Sequence, residues 1–521
     1  MRDQAAKRNI AVAVILFVCF LVVGIAFKLL IYPSIQDDLV DQTSSSSQYD
    51  HEVTIRLDSF SGYAAIRSPE FRSNLQDQGI RLQLEDDAAD YADRIRALKR
   101  GTAQFGVFTI DGFLTAGSEL GEFPGTIISV IDETFGADAI LGYKTGVPSL
   151  AALNAPEASF ILTPASPSEF LARVAIAEFG LDRVSKNWIE SDGAEAVYKA
   201  LKKANATDKR GFVLWEPFRS QALEDDDVHV LFDTSQVSGY IVDVLVVQRA
   251  FLRDQPNVVK SVVESLLRAS YHYSAQPGGI TGLVRTDADA TGSPLSNQQA
   301  GTVVDGIRWR NTLENYAYFG LVPSERAGGI MHLEDSISNI AGVLRRTGGL
   351  QGDMIAGKEA DLFYAGTLQQ LLTEDFHPGK QDGQGHLGTA DLQAGQSSIE
   401  LPPLSEEEWK DLAAVGSMQI KPISFGRGGA KLNIQSKREL DELARRLRSL
   451  PTFYMTVHGH TRAEGDKEAN AQLASDRASA AANYLMERGV SPNRVRPLAV
   501  APSGTGGTQQ AVSFALAQRP Y

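Results

Sequence analysis

VTIRLDSFSGYA, residues 53–64, joins an alternating, β-branched strand directly to a turn of small and aromatic residues. LKRGTAQFGVFTIDG, residues 98–112, contains a second apolar strand pattern, which runs from Phe105 to Ile110 and is followed by Asp111. Apolar runs at residues 211–215 and 240–247 continue the pattern. Short buried strands that alternate with helical patterns are typical of α/β proteins. We therefore predict an α/β fold from residue 52 to residue 376.

Four further motifs sharpen this prediction: Asp132 with GAD at 136–138, TPASPS at 163–168, WEP at 215–217 and YIVD at 240–243. Together with the first two segments, they resemble the periplasmic solute-binding proteins of the nitrate, sulfonate and thiamine-precursor type. The resemblance implies two α/β lobes, with a small molecule held in the cleft between them and captured when the lobes close around a hinge.

Eleven positions of this sequence match ligand contacts of that family. The resemblance implies a ligand site formed by Phe60, Ser61, Tyr63, Thr109, Asp111, Asp132, Ser166, Ser168, Trp215, Glu216 and Asp243. Ser166 precedes a helical pattern whose free N–H groups would suit an anion, but Ser166 and Glu169 also form a capping-box motif. Four carboxylates in this set favour an amine or a polyhydroxylated ligand, or a pocket that has lost its ligand.

The C-terminal segment 415–521 has its own motifs. VHGHT at 457–461, with Gly465, Asn470 and Arg477 after it, resembles the OmpA-like peptidoglycan-binding domains. In that family an aspartate and an arginine grip the ammonium and the carboxylate of a diaminopimelate side chain. Arg477 occupies the arginine position, but Arg462 stands where the aspartate is expected. We therefore predict a wall site of Arg462, Asn470 and Arg477 that binds weakly, or an Arg477 that only forms a surface ion pair.

Charge divides at the same boundary. Residues 415–521 contain 15 Lys+Arg and 8 Asp+Glu, a net charge of +7. Because the whole chain has a net charge of −14, its other residues have a net charge of −21. A basic unit suits an anionic wall polymer. The unit lacks the series of aromatic residues that stacks on bases, so nucleic acid is not an expected partner.

The N-terminal segment predicts a membrane anchor. Residues 10–32 are almost wholly apolar, with basic residues before them and aspartates after them. This length spans a bilayer, and the charge bias leaves residues 1–9 in the cytoplasm. A cleaved signal peptide ending near Ala26 is the alternative. We thus predict a single-pass inner-membrane protein with its bulk in the periplasm, and flexible linkers at 33–51 and 377–414.

Composition gives no support to an enzyme. The hydrophobic fraction of 43 % suits globular units, and a single cysteine, Cys19, excludes an intramolecular disulfide. His458 and His460 lack the third ligand and the glutamate of a catalytic zinc site, so neither a metal nor a cofactor is expected.

The predicted function is capture of a small molecule for a membrane transporter or signalling partner. The alternative is a structural tether or assembly factor of the envelope with a degenerate pocket. The sequence does not identify the ligand, the membrane partner or the oligomeric state.

Overall fold

The structure is a computed structural model that describes residues 49–184, 188–350, 352, 354–380, 401–426, 428–460, 466–500 and 512–520. The predicted anchor at 10–32 and the tether after it lie outside these residues, apart from the last few positions before β1. Among the described residues, no helix combines the length and the hydropathy needed to cross a membrane.

The first part of the chain alternates strands with helices as predicted. Its elements are β1 (His51–Leu57), α1 (Ala64–Arg67), α2 (Pro69–Gln76), β2 (Ile80–Asp86), α3 (Tyr91–Arg100), β3 (Phe105–Thr109), α4 (Ile110–Leu120) and β4 (Gly125–Thr134). Local sequence sets these limits: Asp90 caps α3 by accepting from the N–H of Asp93, and Gly101 ends it in the left-handed conformation.

The chain then enters a second α/β unit. It contains β5 (Asp138–Tyr143), β6 (Ser159–Leu162), α5 (Pro167–Phe179), β7 (Ile189–Glu190), α6 (Gly193–Lys203), β8 (Arg210–Trp215), α7 (Phe218–Ala222) and β9 (Val228–Asp233). β5 is buried along its whole length, in keeping with the apolar run at residues 139–141.

The chain returns to the first unit through residues 234–241. The elements after this crossover are β10 (Val242–Gln248), α8 (Arg249–Asp254), α9 (Pro256–Ser274), α10 (Gly279–Ala290), α11 (Asn297–Asp305), β11 (Ile307–Trp309), α12 (Thr312–Tyr318), α13 (Leu333–Thr347) and α14 (Gly366–Thr373).

Two sheets result, one for each lobe. The first has the order β11-β4-β10-β3-β1-β2 and the second the order β7-β6-β8-β5-β9. Two segments connect the two sheets, residues 135–137 and residues 234–241. They lie side by side, and the N–H of Gly136 donates to Oγ1 of Thr234 at 2.7 Å. The predicted two-lobed α/β fold is confirmed, and we refer to these paired crossovers as the hinge.

The C-terminal unit is a separate α+β layer. It consists of α15 (Glu406–Asp411), β12 (Ala413–Ser417), α16 (Ile434–Arg448), β13 (Tyr454–Gly459), α17 (Lys467–Glu487), β14 (Val495–Ala499) and β15 (Val512–Gln518), with the sheet order β12-β15-β13-β14. α16 begins at its cap Asn433, whose side chain accepts from the N–H of Ser436.

Part of the segment expected to be a flexible linker is ordered against this sheet. Ser405 and Glu408 form a capping box that starts α15, and Trp409 packs edge-on against Tyr454 with ring centroids 5.4 Å apart. The hydroxyl of Tyr454 also donates to the carbonyl of Pro402 at 3.0 Å. The sequence does not indicate this packing, because the proline pair and the acidic run match the composition of a linker.

Candidate functional site

The turn after β1 lies at the carboxyl end of its strand, where α/β sheets place ligand-binding loops. Ser61–Tyr63 form one 3-10 turn, and the rings of Phe60 and Tyr63 meet edge-to-face at 5.2 Å. Gly62 has no room for a Cβ, because one would overlap the carboxylate of Asp132 and the ring of Phe60. The turn is thus pressed directly onto Asp132.

A buried group of polar side chains lies beneath this turn. Asp243 of β10 stands in register with Thr109 of β3 on one side and with Asp132 of β4 on the other. The hydroxyl of Tyr63 donates to Oδ1 of Asp243. Four of the predicted contacts, at positions 63, 109, 132 and 243, are therefore brought together as expected.

The two carboxyl groups in this group share one environment. Asp132 and Asp243 are 0 % and 1 % exposed. Burial raises the pKa of both groups, and the neighbouring charge of Asp132 raises the pKa of Asp243 further. Both groups therefore bind a proton more tightly than an exposed aspartate does, and they form a buried structural element as well as a candidate contact.

Asp111 and Ser166 face each other from opposite lobes, at the N-terminal ends of α4 and α5. Burial raises the pKa of Asp111 to about 7, and one of its oxygens accepts no hydrogen bond from the described residues. Ser166 and Glu169 do not form the expected capping box. Instead the hydroxyl of Ser166 donates to the carbonyl of Thr163 at 2.7 Å, and Glu169 accepts from the N–H of Ala165.

A cavity of about 460 Å³ separates these two helix ends. Its walls come from both lobes and carry Asp90, Tyr91, Asp111, Glu119, Glu169 and Arg173. Four carboxyl groups and one guanidinium thus line the cavity. The guanidinium of Arg173 is paired with Glu169 at 2.6 Å. The cavity suits a ligand that brings hydrogen-bond donors or positive charge.

The remaining predicted contacts are used within the second lobe. Trp215 packs on the apolar cluster of that lobe, and Glu216 accepts from the side chains of Arg219 and Ser220 at 3.2 Å and 3.0 Å. Ser168 is fully buried, and its hydroxyl has no hydrogen-bond partner among the described residues. The structure therefore links Asp111 and Ser166 to the cavity more directly than Trp215, Glu216 or Ser168.

Sequence reasoning missed three charged groups next to this site. Arg94 is fully buried and pairs with Asp58 at 3.1 Å, so it neutralises a carboxylate directly after β1. Asp138 at the start of β5 is buried, and burial raises its pKa to about 7. A basic residue at an inward position of α3 was the available signal for Arg94. Asp138 was seen only as part of a motif.

The C-terminal candidate site is described in part, since Arg462 lies outside the described residues. Asn470 is half-buried near the start of α17. Nε of Arg477 donates to the carbonyl of Gly429 at 3.1 Å, and its guanidinium lies over Phe425 at 5.4 Å from the ring centroid. Among the described residues, Arg477 thus contacts a carbonyl and a ring and forms no ion pair with a carboxylate.

The histidines at the end of β13 have ordinary contacts. A ring nitrogen of His460 lies 2.8 Å from Oγ of Ser513, and burial lowers the pKa of both His458 and His460. Within the described ranges, no group of three or more His, Cys, Asp or Glu residues is arranged to hold a metal ion.

Comparison with known proteins identifies the C-terminal unit. Residues 424–517 match the OmpA family model. A peptidoglycan-associated lipoprotein of Rhizobium meliloti is 33 % identical over 76 residues, which are 15 % of this chain and 43 % of the relative. The peptidoglycan-binding protein ArfA of Mycobacterium bovis is 31 % identical over 83 residues, which are 16 % of this chain and 26 % of the relative. Each match thus spans less than half of the curated relative.

Solved structures align with part of this chain at low identity. The alkanesulfonate-binding protein of Xanthomonas axonopodis bound to MOPS aligns with a TM-score of 0.43 and 12 % identity over 58 % of this chain and 96 % of that one. The nitrate-binding protein of Synechocystis aligns with a TM-score of 0.44 and 11 % identity over 63 % of this chain and 89 % of that one. Residues 424–517 of this chain thus match the OmpA family, and they follow a two-lobed α/β unit built on two sheets.

Proposed function

We propose that this protein captures a small basic or polyhydroxylated solute between its two lobes and presents it to a membrane transporter or signalling partner. The observation that carries the proposal is the cavity of about 460 Å³ between α4 and α5, where four carboxyl groups face one paired arginine. An anionic ligand would add repulsion in a partly buried site, whereas an ammonium or hydroxyl group would supply the donors that these oxygens lack.

Asp111 is the residue on which recognition depends most in this proposal. It is 7 % exposed, it lines the cavity, and one of its oxygens lacks a hydrogen-bond donor among the described residues. Tyr91 adds an aromatic wall, which attracts cations.

The test uses the full chain. Small molecules that co-purify with it are identified by mass spectrometry, and calorimetric titrations compare 1,4-diaminobutane, sorbitol and ethanesulfonate. We expect binding of the diamine or the polyol, no binding of the sulfonate, and an affinity at least about tenfold lower in Asp111→Asn, since one charge-assisted hydrogen bond is lost. Asp77→Asn, at an exposed aspartate of the same lobe, is the matched control. Preferential binding of ethanesulfonate that Asp111→Asn leaves unchanged would refute the proposed solute class.

A structural tether of the envelope is the second candidate. It is favoured by the buried group under the turn after β1, where the hydroxyl of Tyr63 donates to Asp243 and Asp132 is fully buried beside them, so these polar side chains are enclosed by the protein itself. Under this alternative no small molecule co-purifies and none of the three titrations gives heat.

The location in the envelope is part of the proposal. Residues 10–32 would anchor the chain in the inner membrane, with the two-lobed unit (52–376) and the OmpA-family domain (415–521) in the periplasm. The relatives named for peptidoglycan support a weak wall contact of this domain. A mature form that lacks the first 26 residues by intact mass, and that is found free in the periplasm, would contradict the anchor.

A further inference from the structure

One face of the OmpA-family domain is packed against the solute-binding unit. The ring of Phe453, just before β13, lies 5.0 Å from the ring of Phe179 and 6.4 Å from that of Phe232, both in the second lobe. Gly416 of β12 approaches the carbonyl of Phe179 so closely that a Cβ would overlap it. The contact is apolar and closely packed at its centre, as in the interior of a domain.

A buried ion group fixes the position of this face. Glu178 at the end of α5 is fully buried, and its Oε2 accepts from Nε and Nη2 of Arg446 in α16 at 2.9 Å and 2.6 Å. Its other oxygen accepts from Arg346 of α13. One carboxylate thus joins three parts of the molecule: the second lobe, the bridging helix α13 and the OmpA-family domain. Two donors of Arg446 converge on one oxygen, and these charge-assisted hydrogen bonds fix the position of the arginine.

The same face reaches the hinge. The N–H of Ser238 in the second crossover donates to the carbonyl of Ser449 at 3.0 Å, and Oγ1 of Thr452 donates to the carbonyl of Gln236 at 3.1 Å. Gly239, the next residue of the crossover, donates to Glu133 at the end of β4 in the first lobe. A change in the angle between the lobes would therefore have to break or shift contacts with the OmpA-family domain.

The bridging helix provides the second point of attachment. α13 packs on α4 of the first lobe and on α5 of the second. Its Asn339 donates to Oγ of Ser449 at 2.8 Å and accepts from Arg445 at 2.6 Å. The domain is thus held at the crossover and at the helix that spans both lobes.

The candidate wall site is at the opposite end of the domain. The docked face includes Phe453 and Gln518, at the start of β13 and the end of β15, whereas α17 with Asn470 and Arg477 follows the far end of β13. Six residues of β13 separate the two ends, about 20 Å at the usual rise of a strand. Wall contact and docking therefore use different surfaces.

We infer that the OmpA-family domain is an intramolecular brace on the hinge, which sets the angle between the two lobes while its far end remains open to the wall. When the domain is released, the angle between the lobes is free to change. A force or a ligand at the wall-facing end of the domain changes this angle through the contacts of Glu178, Ser238 and α13. The inference does not depend on which solute the cleft binds.

The test measures distances by electron–electron resonance in the full chain, with Cys19→Ser as background. Spin labels at Ser73→Cys and Lys203→Cys report the angle between the lobes, and labels at Ser73→Cys and Asn483→Cys report the position of the OmpA-family domain. Arg446→Met removes both hydrogen bonds to Oε2 of Glu178 and leaves Glu178 paired with Arg346. Arg488→Met, at an exposed pair of the same domain with side chains 51 % and 45 % exposed, is the matched control.

We expect one narrow distribution for each label pair in the parent chain and in Arg488→Met, and a clear broadening of both distributions in Arg446→Met. If only the Ser73/Asn483 distances broaden, the domain is docked without bracing the hinge, and the inference is wrong. It is equally wrong if a folded Arg446→Met broadens neither distribution. Should circular dichroism show that Arg446→Met does not fold, Asn339→Ala removes two bonds of the same face without stranding a buried charge, and the same outcomes decide.

Discussion

Two buried carboxylate regions of this molecule differ in how their charge is compensated. At the domain junction, Glu178 has one arginine on each oxygen. In the cleft, Asp132 lies against another carboxyl group, Asp243, and Asp111 and Asp138 are buried without an arginine in hydrogen-bond contact among the described residues. The junction carboxylate is compensated by cationic partners, whereas burial raises the pKa of the carboxyl groups in the cleft.

This difference separates structural from functional use of the same residue type. A carboxylate with permanent cationic partners gives orientation and holds two elements together. A carboxyl group whose pKa lies near neutrality can exchange its proton for a ligand's positive charge, as is common at binding and catalytic sites. The junction is therefore expected to respond to mutation through stability, and the cleft through pH and ligands.

The largest effect is expected at the junction. Glu178→Gln leaves the buried Arg446 without its counter-charge, and loss of one partner of a buried pair costs about 3 to 5 kcal/mol. We expect the free energy of unfolding, from urea titration of the full chain, to fall by about this amount. Asp254→Asn, which removes one partner of an exposed pair, should leave the unfolding midpoint unchanged. An unchanged midpoint in both variants would contradict the comparison.

The second effect is a pH dependence of the folding stability, which we expect from the buried carboxyl group of Asp138. Burial raises the pKa of Asp138 to about 7, so the folded state binds this proton more tightly than the unfolded state, whose pKa is about 4. Its contribution to stability is complete below pH 4 and is lost as the pH rises toward 7.

Asp138→Asn mimics the protonated form, so its stability relative to the parent chain should increase by about 3 to 4 kcal/mol between pH 4 and pH 7.5. Thermal unfolding across this range measures the difference. Asp254→Asn is again the control, since its pair with Arg253 lowers the pKa of Asp254 and places its titration below the window. A difference that does not vary with pH would show that Asp138 is ionised in the folded state.

The smallest effect is expected at the wall. Arg477 already contacts Gly429 and Phe425, and the position expected to bear the acidic partner is Arg462. We expect weak, salt-sensitive binding to purified sacculi in pull-down, carried by the net charge of +7 and screened at 0.15 M salt. Arg462→Asp should strengthen it and Arg477→Ala should weaken it. Tight, salt-resistant binding that Arg462→Asp does not improve would show that another residue accepts the ammonium.

Local patterns were sufficient where one short segment specifies one element. The strand and turn at 53–64 and the strand at 105–109 form as predicted, because their periodicity and their glycines act within a few residues. The same holds for the OmpA-family domain, whose spaced motif identified it before any contact was known. The capping box at Ser166 failed for the opposite reason, since Glu169 is drawn into a bond with the N–H of Ala165 and an ion pair with Arg173.

The sequence predicted which residues belong to the candidate site better than it predicted how those residues are arranged. The strand ends correctly place Tyr63, Thr109, Asp132 and Asp243 together, because neighbouring strands bring their ends to one edge. Trp215 and Glu216 have partners within their own lobe, and no pattern in a single segment shows how far two lobes are closed.

By itself, the sequence determined the α/β unit, the OmpA-family domain and the opposite charges of the two, since each depends on composition and on neighbours along the chain. Only the tertiary structure decided that the domain is docked on the hinge. Glu178 is 168 residues from Arg346 and 268 residues from Arg446 in the chain. In the sequence, each of the three residues resembles an ordinary charge on an amphipathic helix. Their pairing is long-range, and packing that excludes water gives it a strength that no local pattern records.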